Sequence, residues 1–71
     1  MRVRIHLDTV ADATKFSEIC AKLNGKIVIS DGAGLKVNGK SVLGALHALE
    51  FNELWCESEN DIYASIQHYV D

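Results

Sequence analysis

Val3, Ile5 and Leu7 alternate with Arg2, Arg4 and His6 at the head of the chain, the period of a strand with one buried face. The period then changes. Val10, Ala13, Phe16, Ile19, Cys20 and Leu23 recur at helical spacing, which predicts an amphipathic helix ended by Asn24-Gly25. Asp8 and Thr9 stand at its start as caps, and Asp12 lies at capping-box spacing from Thr9. Ile27-Val28-Ile29 predicts a second strand within Lys26 to Ser30, and Asp31-Gly32-Ala33-Gly34 a hairpin turn returning through Leu35-Lys36-Val37. A second helix is expected from about Ser41 to Leu49, with Val42, Ala45, Leu46 and Leu49 on one stripe. Glu53 to Glu57 reads as a fourth strand, with Leu54 and Cys56 facing one way and Trp55 the other. Ser58, with Asp61 three residues on, is expected to cap a last helix whose stripe is Ile62, Ile66 and Tyr69.

The predicted order is βαββαβα, an α+β arrangement. One apolar stripe per helix and one apolar face per strand suit an open-faced two-layer β-sandwich, a four-stranded antiparallel sheet covered by three helices on one face. Residues 1–71 then form a single domain. Its expected core is Val3, Ile5, Phe16, Ile19, Cys20, Leu23, Ile27, Ile29, Val37, Leu46, Leu54, Ile62 and Ile66. The uncovered sheet face should carry Arg2, Arg4, His6, Lys26, Lys36 and Trp55.

Composition narrows the function classes. A chain of 71 residues is near the size where one hydrophobic core is marginally sufficient, and a 48% hydrophobic content argues against disorder. Ten acidic against seven basic residues, a net charge of −3, does not suit a nucleic-acid binder that relies on neutralising phosphates. No apolar run approaches the roughly 20 residues of a membrane-spanning helix, so no membrane insertion is expected. The first residues lack the apolar core of a signal peptide. Cys20 and Cys56 are isolated, and with three scattered histidines they make no metal site; two free thiols in a cytoplasmic protein is the plain reading. No cofactor is implied.

The most distinctive segment is Lys36-Val37-Asn38-Gly39-Lys40-Ser41-Val42-Leu43-Gly44-Ala45-Leu46, a short strand, a turn and a helix opening at Ser41. It resembles the regulatory-serine segment of HPr, the histidine-containing phosphocarrier family of the bacterial sugar phosphotransferase system. The resemblance extends to Phe16–Ser30 and to Cys56-Glu57-Ser58-Glu59-Asn60, where the fourth strand enters the last helix. It implies the same fold, with the Trp55 strand beside the first strand. The connection from Ala48 to Glu53 is shorter than usual in that family.

The departure lies at the start of the first helix. The family places a phosphorylatable histidine there in a GLHxRPA segment, where amide donors, the helix dipole and a neighbouring arginine stabilise phosphate. Counting back from Phe16 puts Thr9 at the histidine position, Ala11 at the arginine and Asp12 at the proline. Asp8 and Asp12 set negative charge where phosphate needs positive. His6 is the nearest substitute nucleophile, and its plainer reading is a solvated strand residue.

Ser41 has two compatible readings, an N-cap and a kinase-modified regulatory serine. Val42 and Leu43 are adjacent, so only one can face the core; the resemblance makes Lys40, Val42 and Leu43 candidates for partner docking. The expected function is a non-catalytic, HPr-like regulatory or protein-binding module that has lost histidine phosphotransfer. The alternative is a phosphotransferase-system phosphocarrier component using His6 or Thr9 as acceptor, or regulated at Ser41.

Overall fold

The computed structural model describes residues 1–71. Strands β1 (Arg2–Ile5), β2 (Ile27–Ser30), β3 (Lys36–Asn38) and β4 (Leu54–Ser58) form one antiparallel sheet in the order β1-β4-β2-β3. Helix α1 (Val10–Ala21) joins β1 to β2, α2 (Val42–Ala48) joins β3 to β4, and α3 (Tyr63–Ile66) follows β4 with a 3₁₀ turn, Gln67–Tyr69, after it. The order is βαββαβα, as the periodicities predict. Val3 pairs with Cys56 and Ile29 with both Cys56 and Val37, so the apolar rows of all four strands share one face.

That face meets the helices through Ile5, Leu7, Ala13, Phe16, Cys20, Ile27, Ile29, Ala45, Ala48, Leu54, Cys56, Ile62, Ile66 and Tyr69. Phe16 is fully enclosed and takes the Tyr69 ring edge-on at 5.5 Å. Five residues expected in the core, Val3, Ile19, Leu23, Val37 and Leu46, are half-buried around its rim instead. The buried positions of α2 are Ala45 and Ala48, and those of α1 are Ala13, Ser17 and Cys20 around the one large side chain, Phe16, so the helices lie close and the other aliphatic side chains sit at the flanks. Gly44 sets the approach of α2, since a Cβ there would lie 2.5 Å from the Asn38 carbonyl oxygen. With Gly44, Ala45 and Ala48 turned to the sheet, both Val42 and Leu43 point outward, at 43% and 65% exposure. The expectation that one of the two is buried therefore fails.

Two boundaries also differ. β1 ends at Ile5 rather than Leu7, because its pairing with β4 ends at Leu54; His6 continues by donating its amide to the Tyr69 carbonyl at 2.8 Å. Ser58 does not cap the last helix. It remains in β4 opposite Ile27, its hydroxyl donates to the Asn60 carbonyl, and α3 starts only after Ile62, with the Asp61 carboxylate accepting from the Tyr63 amide at 3.1 Å.

Candidate functional site

The start of α1 is a closed polar knot. Thr9 has extended backbone angles, as an N-cap requires, and its Oγ1 accepts from the Asp12 amide at 3.0 Å. The Asp12 carboxylate turns back and accepts from the Asp8 amide at 3.0 Å. Two donors at this helix start, the Asp8 and Asp12 amides, are thus engaged by the chain's own side chains. Asp8 and Asp12 add negative charge, and Ala11 offers no cation.

His6 lies at the end of β1. Its Nδ1 is 2.8 Å from Asp71 Oδ1, and Arg4 Nε is 3.7 Å from the other Asp71 oxygen. The ring is therefore held rather than freely solvated, with 43% of its side chain exposed. A cleft of about 220 Å³ beside it is lined by Asp8, Phe51 and Glu53 among others.

The start of α2 is separate from that of α1. Lys40 donates its ammonium to the Leu23 carbonyl at 2.7 Å, which fixes the α2 start beside the far end of α1. The 12 residues of α1, about 18 Å of helix, lie between there and Thr9. Lys40 is half-buried and acts as a clamp on the α1 C-terminus, where a cation is favourable; as a docking residue its head group is already engaged. Ser41 accepts from the Gly44 amide at 3.2 Å, so the capping role is realised in the geometry. Val42 and Leu43 follow as an exposed apolar pair.

The uncovered sheet face carries the expected cations together with carboxylates that the strand alternation of β4 should have revealed. Glu53, Trp55 and Glu57 share parity, so both acids lie among the basic residues. Glu57 pairs with Arg2 at 3.2 Å and with Lys36 at 3.0 Å; the Lys36 hydrogen bond, with Arg2 beside it, holds the Glu57 carboxyl below its usual range. Trp55 donates to Glu53 at 2.9 Å, and the Arg2 and Arg4 guanidinium carbons stand 4.0 and 5.9 Å from its ring centroid. The face is thus a cross-linked ionic surface. Asp71, which serves both Arg4 and His6, carries no signal in the sequence pattern.

Cys20 and Cys56 are free and fully buried. Burial pushes their thiols up to about 12 and about 11, which makes both poor nucleophiles near neutrality. No cluster of three or more histidine, cysteine, aspartate or glutamate side chains has the arrangement of a metal site, and no helix is long and apolar enough to cross a membrane. Comparison with family models, curated proteins and solved structures gave no match.

Proposed function

We propose that this chain is an HPr-like regulatory or protein-binding module, without enzymatic activity, that has lost histidine phosphotransfer. One observation carries the second half of that reading: the Thr9–Asp12 capping box occupies the α1 start with its own hydrogen bonds and two carboxylates. A phosphoryl group there would meet the like charge of Asp8 and Asp12, and the Asp8 and Asp12 amides are already engaged. The HPr-like half is supported by β4 lying beside β1, as the resemblance implies, and by the strand–turn–helix geometry at Lys36 to Leu46.

Docking is assigned to Val42 and Leu43, the exposed apolar pair after Ser41. Phosphate on Ser41 would displace the hydroxyl from its capping bond and set a double negative charge beside those side chains, changing what can dock there. The partner is a protein rather than a nucleic acid, given the acidic net charge, and two unlinked thiols favour the cytoplasm.

A second reading is favoured by the His6–Asp71 contact. A carboxylate on Nδ1 orients the ring and leaves Nε2 as a possible phosphoryl acceptor. Incubation with phosphoenolpyruvate and the general transferase enzyme, followed by mass spectrometry, separates the two. The proposal expects an unmodified chain; phosphate on His6 or Thr9 would establish the alternative.

A further inference from the structure

The two edges of the sheet are treated differently. On β1 the outer edge is occupied: Val70 bridges Ile5, the His6 amide donates to Tyr69, and the Asp71 amide donates to the Arg4 carbonyl at 3.0 Å. On β3 nothing plays that part. The Asp31 amide donates to Leu35 and the Gly39 amide to Ile27, so Leu35, Val37 and Gly39 are the residues whose main chain faces β2. By the alternation of an antiparallel ladder, the N–H and C=O of Lys36 point away from the sheet. The edge is free around Lys36 only. At Asn38 it is closed by Gly44 and by the Ser41 amide, which donates to the Asn38 carbonyl at 3.2 Å.

Two concavities meet at this free edge and share Lys36 and Val37; one is mainly apolar and the other carries three lysines. On the helix side, a groove of about 420 Å³ is lined by Leu35, Val37 and Phe51, with His47 and Glu50 at its rim. Leu35 is 62% exposed there. On the open side, a concavity of about 480 Å³ is lined by Lys26, Lys36 and Lys40, with no carboxylate among its lining residues. Nearby acids offset this charge only in part. Glu57 is shared between Lys36 and Arg2, Lys40 bonds a neutral carbonyl, and Glu59 accepts from the main-chain amide of Lys26.

A strand laid along β3 sends successive side chains alternately into these two spaces. We propose that the outer edge of β3 takes up an extended segment of a partner protein, alternately acidic and apolar, as an added strand. Its carboxylates face the lysines, its apolar residues enter the Leu35–Phe51 groove, and its main chain pairs with Lys36. A second copy of this chain is the poorer occupant, because pairing β3 with itself brings Lys36 against Lys36. This surface is distinct from Val42 and Leu43 and does not depend on the fate of Thr9, so failure here and failure of the phosphotransfer reading are told apart.

The test is a titration of isotope-labelled protein with an acetylated, amidated seven-residue peptide alternating glutamate and valine. A peptide of the same composition with its glutamates grouped at one end is the control. Saturable shifts should centre on residues 35–38, with Lys26 and Phe51 following, and exchange of the Lys36 amide should slow at least about tenfold at saturation. Leu35→Asp should abolish binding, and Lys26→Glu should weaken it about tenfold, with loss on adding salt. Lys36→Pro, which removes the outward donor, should bind less than Lys36→Gln, which keeps it. If Lys36→Pro disturbs the fold, Leu35→Asp at an exposed position carries the test. The proposal is overturned by no shift on β3 up to about 1 mM peptide, by equal binding of the grouped control, or by shifts centred on Val42 and Leu43. Concentration-dependent broadening at residues 35–38 without peptide would assign the edge to a second copy instead, and would also overturn it.

Discussion

Replacing Ser41 separates its structural role from any signalling role. The hydroxyl accepts one hydrogen bond, from the Gly44 amide at 3.2 Å, in a half-buried setting where water only partly replaces it. Ser41→Ala removes that acceptor and should cost about 1 kcal/mol, the usual value of an N-cap. In a domain of this size that corresponds to roughly 4–8 °C in Tm. Ser41→Asp supplies an acceptor of similar reach and places negative charge at the positive end of α2, so it should remain within about 0.5 kcal/mol of wild type. Urea titration with equal m-values would give both differences directly. Equal destabilisation by alanine and aspartate, or none by alanine, would refute the capping argument. If Ser41 is also a switch, the aspartate variant should lose partners in a pull-down from the native cell at unchanged stability, because charge then sits beside Val42 and Leu43.

Three further outcomes follow from the packing and charge. Gly44→Ala gains about 1 kcal/mol of helix propensity but forces a Cβ to 2.5 Å from the Asn38 carbonyl, so net destabilisation should appear in the same titration; a stabilised variant would contradict the close approach of α2. Cys20 and Cys56 titrate near 9 when unfolded and at about 12 and about 11 when folded, so their contribution to stability is complete below pH 9 and is lost as pH rises towards about 11 for Cys56 and about 12 for Cys20. At pH 10 each thiol should have surrendered roughly 1.4 kcal/mol, and native thiol labelling at pH 8 should be slow; a stability unchanged from pH 8 to 10 would count against both burials. Glu57 has a lowered pKa, so its stabilisation exists above about pH 4.5 and disappears as pH falls through its folded value; the stability gap between wild type and Glu57→Gln should close in acid and narrow in salt.

Where one pattern dominated locally, the elements could be read in advance. Strict alternation marks β1, and Thr9 with Asp12 marks the α1 start, because each rests on contacts within a few residues. The last helix was misplaced because Ser58 and Asp61 have the same local preferences as a true cap. What decides is non-local: the Ser58 amide is claimed by the Met1 carbonyl and its backbone pairs with Ile27. Exposure of Val42 likewise depends on Gly44 meeting Asn38 across the layers, which helical spacing does not report. Under the proposed reading the site is legible in its absences, since Thr9 and Ala11 stand where the resembled family has histidine and arginine. The neutralisation of the open face was legible in part: Glu53 and Glu57 share the parity of Trp55, whereas Asp71 reaches Arg4 and His6 only through the fold.

If the proposed function is right, an HPr-like scaffold remains while its phosphoryl acceptor is gone, and restoring the acceptor should restore phosphoryl uptake. Thr9→His, Ala11→Arg and Asp12→Pro, made together, rebuild the family's histidine, arginine and proline on this chain and remove one of the two carboxylates. The measurement is phosphoryl uptake from phosphoenolpyruvate through the general transferase enzyme, read by intact mass beside the wild type, with the fold of both checked by circular dichroism. One phosphoryl group is expected on the folded triple variant and none on the wild type. Uptake by the wild type, or a folded triple variant that takes up nothing, would contradict the proposed function.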